Sequence, residues 1–324
     1  MSVVKIKKLF LSFLIFVTIA MLVIFPAKYS KVSLDALLIW GNILIPSLFP
    51  FFFFTRLIST LDLAKPISSL LHPVTNKLYK TNGYSGYIFF ISILSGYPVG
   101  SKLTFDLYEH GFITKQECSA ITSFTSNSGP MFILGSVGIG MLLSKTAGFI
   151  ILFSHILGAI INGLIYRNKK IVDCKGYALY DNNKVDILTD TMLNSIKSIL
   201  LVGGYVIICF VIANIFIDLN IFKPISFSLN KLLGIKEEIT NSLLTGIIEM
   251  TTGCKSIASL DISLKLKTII CCFLISFGGI STLLQAMSFL KKTGIKYKYF
   301  TLQKFTHSIF STIICFLICL IIKL

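Results

Sequence analysis

Seven apolar runs, each long enough to cross a lipid bilayer, constrain this chain more than any other feature of its sequence. A run of about 20 predominantly apolar residues spans the hydrocarbon core as an α-helix. Two further apolar stretches, 84–111 and 236–264, are interrupted by Gly, Pro or Thr. The sequence therefore predicts one all-α polytopic membrane domain over residues 1–324, with apolar runs at 9–25, 34–58, 118–143, 146–166, 191–217, 267–290 and 306–322.

The composition excludes most soluble classes of protein. The chain has 30 Lys and Arg against 14 Asp and Glu, a formal net charge of +16, yet it is 54% hydrophobic and only 14% charged. Soluble domains carry about 25% charged residues, and a disordered chain would be poor in aromatic residues, whereas this one has 28 Phe. The lipid bilayer is therefore a predicted partner and nucleic acid is not.

The N-terminal segment predicts an uncleaved first helix. Lys5, Lys7 and Lys8 precede an apolar run that is longer than the core of a usual signal peptide, and no small-x-small cleavage site follows it. Basic residues concentrate in cytoplasmic loops. We therefore expect a multi-pass protein of the cell membrane with a cytoplasmic N-terminus.

The two halves of the chain repeat one order of elements. Each has a long helix with a central glycine, then an interrupted stretch, then a second interrupted helix. Without a gap, Gly100 aligns with Gly253 and Lys102 with Lys255. The predicted division is repeat 1 at 33–143 (hairpin 84–111, broken helix 118–143), a linking helix at 146–166, repeat 2 at 191–290 (hairpin 236–264, broken helix 267–290) and a C-terminal helix at 306–322.

The distribution of Lys and Arg favours hairpins that return to the side they entered. With two re-entrant hairpins, more basic residues fall in the inner loops than if both stretches cross fully. The two halves then have opposite orientations. The prediction is an inverted repeat of about seven transmembrane helices plus two re-entrant hairpins with broken helices, an arrangement that supports alternating access.

The interruptions predict a solute or ion pathway, because irregular backbone at membrane depth survives only where it lines a cavity or is buried in protein. Asn127 and Gln285 are the preferred ligand contacts, since an amide both donates and accepts hydrogen bonds. The candidate pathway comprises Gly96, Tyr97, Pro98, Gly100, Lys102, Ser126, Asn127, Ser128, Gly129, Pro130, Glu249, Thr251, Thr252, Gly253, Lys255, Gly278, Gly279 and Gln285.

Three charged residues near the predicted hairpin tips sit where charge is costly. Lys102 and Lys255 occupy matching places in the two halves, and two ammonium groups would favour an anionic group. Glu249 lies at the second tip and either pairs with one lysine or binds a coupling cation. A purely structural Glu–Lys pair that holds the hairpins together is an equally open alternative.

The sequence contains no recognisable catalytic motif. The histidines have no ligand spacing, the eight cysteines contain no CxxC pair, and neither HExxH nor a nucleophile elbow occurs. Residues 246–255 lack the order of a phosphate-binding loop. We therefore predict a protein that is not an enzyme, with no metal and no cofactor.

The residues quoted above carry a resemblance to a known family. The chain resembles the YlbJ family of sporulation integral membrane proteins, within the wider group that carries a nucleoside recognition (Gate) domain. The resemblance covers about residues 33–290 and rests on 46–51 (PSLFPF), 95–102 (SGYPVGSK), 124–130 (FTSNSGP) and 249–253 (EMTTG). It implies a Gate-type inverted repeat, like that of concentrative nucleoside transporters, and a role in spore formation.

Two functions remain open from the sequence. The first is a transporter-like protein that moves a small polar solute, nucleoside-like or anionic, together with a coupling cation. The second is a non-transporting membrane scaffold required for assembly of the spore envelope, its cortex or coat, which would bind its partner through the basic loops at 167–184 or 291–304. An oligomer is compatible with either.

Overall fold

The computed structural model describes residues 3–61, 63–168 and 187–322, and these fold entirely into helices and their connections. The first half contains α1 (Val3–Ile24), α2 (Pro26–Ile39), α3 (Ile45–Thr60), α4 (Ala64–Tyr79), α5 (Tyr84–Ser95), α6 (Val99–Glu109), α7 (Lys115–Thr125) and α8 (Lys145–Ile165), with π-helices at Trp40–Leu44 and Met131–Met141. The second half contains α9 (Ile187–Asp218), α10 (Lys223–Leu233), α11 (Glu237–Ile248), α12 (Met250–Ser259), α13 (Leu264–Phe277), α14 (Gly279–Leu290) and α15 (Tyr297–Ile321).

The helices confirm an all-α polytopic membrane protein. In the described residues, four segments are long and apolar enough to cross a membrane: Lys145–Ile165, Ile187–Asp218, Leu264–Thr293 and Tyr297–Ile321. A bent pair, Ser12–Ile24 with Pro26–Leu44, makes a fifth when it is counted as one span, and its two parts meet at 107°. Candidate spans are thus fewer than the apolar runs suggest, because apolar length alone does not reveal where a helix bends or stops.

Each half contains a pair of short helices joined at a tight tip. We call α5 with α6 the first hairpin and α11 with α12 the second hairpin. Each is followed by an interrupted helix: α7 and the π-helix Met131–Met141 flank the first break (126–130), and α13 and α14 flank the second break (Gly278–Gly279). Two short amphipathic helices, α4 and α10, precede the hairpins and are not visible as apolar runs.

Capping side chains set where these short helices begin. Thr114 accepts a hydrogen bond from the backbone N–H of Glu117, whose carboxylate accepts from the N–H of Thr114, a capping box that starts α7. Ser144 and Ser263 cap α8 and α13 in the same way with their hydroxyl groups.

The last helix of each half packs against the other in the opposite direction. Tyr166 of α8 meets Tyr299 of α15 with ring centroids 5.8 Å apart, and Asn162 donates to the carbonyl of Gln303 at 3.0 Å. Further along, a Cβ added to Gly158 would contact the backbone nitrogen of Ser311 at 2.8 Å. The numbering rises along α15 as it falls along α8, so these two helices are antiparallel.

The hydrophobic core joins residues from both halves of the chain. One apolar cluster joins the first hairpin to Leu283, Ala286 and Leu290 of α14. A second cluster joins the second hairpin to Ile133 and Val137 of the π-helix Met131–Met141. Each hairpin therefore packs on the broken helix of the opposite half, and burial of this apolar surface stabilises the contact between the two hairpin tips.

Candidate functional site

A small cavity lies between the two hairpin tips. Its volume is about 50 Å³, which accommodates a few water molecules or a small ion but not a larger solute. Its lining combines both tips with both broken helices. Of the predicted pathway residues, those that line it are Gly96, Tyr97, Ser128, Gly129, Glu249, Thr251 and Gln285.

The first tip is a sharp reversal that side chains would obstruct. The helix α5 ends at Ser95, and Gly96 follows with a φ of +84°, which L residues rarely adopt. A Cβ on Gly96 would lie 2.6 Å from the backbone nitrogen of Gly129. Tyr97 then crosses to the other half, where its hydroxyl donates to the carbonyl of Ile275 at 3.1 Å.

The second tip is a single buried carboxylate. Glu249 is 3% exposed and separates α11 from α12. Its oxygens accept hydrogen bonds from the backbone N–H groups of Thr251 (3.1 Å) and Thr252 (2.7 Å) and from the Thr252 hydroxyl (2.8 Å). A carboxylate here is stabilised by the partial positive charge of the α12 N-terminus.

The second break touches both tips. Gly278 and Gly279 have φ of +87° and +73°. A Cβ on Gly279 would lie 3.0 Å from the carbonyl of Gly246 and 3.2 Å from that of Ile248, next to the second tip. One on Gly278 would lie 3.5 Å from the ring of Tyr97. Movement of either tip is therefore sterically linked to this break.

The two preferred amides have different surroundings. Gln285 faces the cavity and donates to Ser281 at 3.2 Å. Asn127 lies behind the lining, 1% exposed, where its amide nitrogen donates to Ser92 and to the carbonyl of Phe124. The Asn127 side-chain oxygen is buried and has no hydrogen-bond partner within the described residues, so it remains available to accept from a ligand or water.

The two lysines do not share one environment. The Lys102 ammonium donates to Ser198 of α9 at 2.8 Å and lies 5.5 Å from the centre of the Phe52 ring, away from the cavity. Lys255 is exposed and lines a separate surface groove together with Thr252. The expectation of matching positions is not met, because Lys102 is the fourth residue of α6 but Lys255 is the sixth of α12. Two residues turn a helical side chain by about 200°.

The Glu–Lys pair that the sequence suggested is also not formed. In the parts of the chain that the structure covers, the ion pairs are Lys28–Asp218 and Arg56–Asp106. Glu249 instead bonds to its own helix end, so its charge is not neutralised by a lysine side chain.

The remaining predicted residues shape the backbone around the cavity. Pro98 precedes α6, and Pro130 precedes the π-helix Met131–Met141. Gly100 packs against the carbonyl of Thr125, and Gly253 packs against Gly246 inside the second hairpin. The carbonyl of Ser126 accepts a hydrogen bond from Lys304.

Three buried polar residues, Lys304, His155 and His307, lie outside the pathway that the sequence predicts. Lys304 was assigned to a cytoplasmic loop, but α15 begins at Tyr297, earlier than the predicted 306, and buries this lysine to 2% exposure. His155 and His307 are equally buried, with ring centroids 4.7 Å apart. The signal was present as Gln303, Lys304 and His307, which recur at helical spacing on one face of an apolar helix.

None of these polar groups forms a recognisable metal centre. Over the residues that the structure describes, no group of three or more His, Cys, Asp or Glu is arranged to hold a metal ion. The seven described cysteines are all buried.

Comparison with known proteins gives two matches and one negative result. No protein-family model matches the chain. The chain is 27% identical over 344 aligned residues to the sporulation integral membrane protein YlbJ of Bacillus subtilis (strain 168), covering 98% of this chain and 84% of YlbJ. Its fold is similar to a solved CNTnw variant in an outward-facing state, with a TM-score of 0.51, 12% identity, and coverage of 97% of this chain and 85% of that chain. The chain is therefore similar, over nearly its whole length, to an integral membrane protein of the YlbJ type.

Proposed function

We propose that this protein moves a small polar solute across the membrane by alternating access, and that the cavity between the hairpin tips is the solute site. One observation carries the proposal: both tips and both broken helices line one cavity that contains the Glu249 carboxylate and the Gln285 amide. Paired breaks in two halves of a chain are where transporters of this kind bind their solutes. The fold similarity to CNTnw supports the same architecture.

The lining favours a solute that donates hydrogen bonds. Glu249 is an acceptor, and neither Lys102 nor Lys255 lines the cavity. The anionic solute that two ammonium groups would have favoured therefore has no support from the lining. A neutral or cationic solute with hydroxyl or amine groups, such as a nucleoside-like molecule, has complementary chemistry.

The size of the cavity requires that a tip moves during transport. Solute pockets usually have volumes of about 300–1,000 Å³, and this one has about 50 Å³. The described conformation is therefore too tight to hold such a solute at this site. Backbone contacts between Gly96 and Gly129, without side chains to interlock, form an interface at which the first hairpin can separate.

A role in spore formation is part of the proposal and rests on the similarity to YlbJ. The cell membrane with a cytoplasmic N-terminus is proposed as its location, on the distribution of basic residues. Reporter fusions at the N-terminus and at residue 294 test that orientation. One reporter is active only in the cytoplasm and the other only outside it, and both positions should report the cytoplasmic side.

The scaffold is kept as a second candidate because one observation favours it. The tips are tightly packed and the cavity is small, as expected if nothing passes between them. A scaffold would tolerate changes in the cavity lining but would lose function when basic residues of the exposed loops, such as Lys291 and Lys292, are replaced.

The deciding experiment measures solute binding to the purified full-length protein. A library of nucleosides, sugars and amines is screened for a rise in the thermal unfolding temperature, since a bound solute at 100 times its Kd adds about 2.7 kcal/mol. We expect Glu249→Gln to abolish the response to the active solute while the protein stays folded. The control is Glu238→Gln, an exposed carboxylate of the same hairpin.

Uptake into vesicles then separates the two candidates. Solute uptake by the unmodified protein and its loss in Glu249→Gln support transport. Unchanged uptake in Glu249→Gln contradicts the assigned site, and the absence of both binding and uptake across the library favours the scaffold.

A further inference from the structure

Lys304 is a buried lysine that lies at the C-terminal end of α7, beside the first break. The Nζ atom of Lys304 lies 2.7 Å from the carbonyl oxygen of Ser126, 2.7 Å from the hydroxyl oxygen of Tyr97 and 3.2 Å from Nδ1 of His307. These partners come from the first break, the first tip and α15. Lys304 therefore joins the moving parts proposed above to the last helix of the chain.

The hydrogen-bond pattern around Lys304 matches a protonated ammonium group. A carbonyl only accepts, and the Tyr97 hydroxyl gives its proton to the carbonyl of Ile275. The Nε2 atom of His307 faces the carbonyl of His155 at 2.9 Å, so its proton belongs there and Nδ1 accepts. Three acceptors thus surround Nζ. An ammonium has three N–H donors, whereas a neutral amine has two and would leave one acceptor unmatched.

A second layer of bonds holds His155, whose carbonyl oxygen is the partner of His307 Nε2. The ring of His155 accepts from the backbone N–H of Ser128 at 2.9 Å and lies 2.8 Å from the hydroxyl of Ser276, just before the second break. Hydrogen bonds therefore connect the surroundings of Lys304 to both breaks.

The charge has no carboxylate to balance it. Neither Asp nor Glu lies within ion-pair distance of Lys304 in the described residues. What faces it instead is the C-terminal end of α7, where Ser126 follows the last helical residue and the last carbonyls, which have no partner within the helix, carry partial negative charge. In transporters with broken helices, unwound carbonyls at such helix ends coordinate the coupling Na⁺ or proton.

We propose that the ammonium of Lys304 is a built-in cation that occupies the cation site at the end of α7, so that the protein binds no alkali cation there. The oxygens of Ser126 and Tyr97, which would coordinate a sodium ion, are bonded to the ammonium. The coupling cation expected from the sequence is then supplied by the chain itself at this position. The consequence for transport rests on the proposed function, but the occupation of the site does not.

The test is thermal unfolding of purified full-length protein without any solute. Wild type, Lys304→Ala and Lys304→Met are compared in NaCl, KCl and N-methylglucamine chloride at equal ionic strength. The control is Lys298→Ala, an exposed lysine of the same helix. We expect the unfolding temperatures of wild type and of the control to be the same in all three salts.

The two Lys304 variants distinguish charge from volume. Lys304→Ala leaves the oxygens open and is expected to unfold several degrees lower in N-methylglucamine chloride, with a saturable recovery as Na⁺ or K⁺ is added. Lys304→Met fills the volume without a charge and is expected to be less stable than wild type in every salt.

Three results would overturn the proposal. They are a saturable rise with alkali cation in wild type, a folded Lys304→Ala variant that does not respond to cations, and a Lys304→Met variant as stable as wild type. The last result remains decisive if the Ala variant does not fold. Because no solute is present, failure here leaves the solute cavity at Glu249 untouched, and failure of solute binding leaves this test valid.

Discussion

The backbone of Gly96 lies directly against that of Gly129, where the first hairpin tip meets the first break. A Cβ on Gly96 would be 2.6 Å from the Gly129 nitrogen, and one on Gly129 would be 3.1 Å from the carbonyl oxygen of Ser95. The contact is therefore made by main chain on main chain. It brings two interrupted segments close enough to enclose the cavity that also contains Glu249.

Replacing Gly96 by Ala should destabilise the protein strongly. The residue has a φ of +84° and a ψ of −172°, a conformation essentially restricted to glycine that costs roughly 1–3 kcal/mol for an L residue, and the new methyl group would overlap Gly129. We expect a loss of about 2–4 kcal/mol in the free energy of unfolding, measured by denaturant titration in detergent. Gly135→Ala is the control, because nothing lies within 4 Å of its added Cβ; equal losses in both variants would contradict the assigned contact.

Two adjacent glycines of α9 should differ in their response to replacement by Ala. A Cβ on Gly203 would lie 2.5 Å from the indole of Trp40, a ring fixed by its hydrogen bond to the carbonyl of Ile199 at 3.1 Å. Gly203→Ala should therefore cost about 1–3 kcal/mol. Gly204→Ala meets nothing within 4 Å and should be neutral or slightly stabilising. Thermal unfolding of the two variants, measured side by side, gives the difference in stability. Equal unfolding temperatures would contradict the packing of Gly203 against Trp40.

Neutralising Asp106 should be costly because its partner is buried with it. Arg56 and Asp106 are 3.1 Å apart, and their side chains are 15% and 10% exposed. Asp106→Asn removes the charge that compensates the guanidinium, and we expect a loss of about 3 kcal/mol in the free energy of unfolding. Glu109→Gln, at an exposed position of the same helix, should change stability little. A similar small effect for both would show that Arg56 is solvated.

Substitution of Ser198 should lower stability without affecting solute binding, and substitution of Gln285 should mainly weaken solute binding. Ser198→Ala removes the hydrogen-bond partner of the buried Lys102 ammonium and should lower the free energy of unfolding by about 1–3 kcal/mol. It should leave the solute Kd unchanged, because neither residue lines the cavity. Gln285→Ala should weaken solute binding with a smaller effect on stability. Titration of the active solute by calorimetry tests both, and a changed Kd in Ser198→Ala would refute this division.

The breaks in the helices could be predicted from local chemistry. Gly96, Pro98, Pro130 and the pair Gly278–Gly279 have backbone requirements that a regular helix cannot satisfy, and the helices end beside them. The alignment of Lys102 with Lys255 misled for a physical reason. Sequence alignment conserves position along the chain, whereas the direction of a helical side chain depends on where its helix begins.

The residues that surround the cavity could be identified only in part. Glu249 and Gln285 stood out because a polar residue inside an apolar run is costly. Lys304 did not, because basic residues near the end of a span usually belong to a loop or extend to the membrane surface. Only the packing of α15 against α8 shows that this lysine points inward, where backbone carbonyl, hydroxyl and imidazole acceptors surround it.

The sequence by itself determined the environment of this protein, the helical class and the breaks beside Gly and Pro. These properties follow from apolar length and from the backbone freedom of Gly and Pro, both of which are local. Tertiary structure alone decided which polar groups from distant parts of the chain meet. The Glu249 carboxylate bonds locally, to its own helix end. The Lys304 ammonium bonds to Tyr97 and Ser126, which are distant in sequence and reach it only when α15 packs against the first half of the chain.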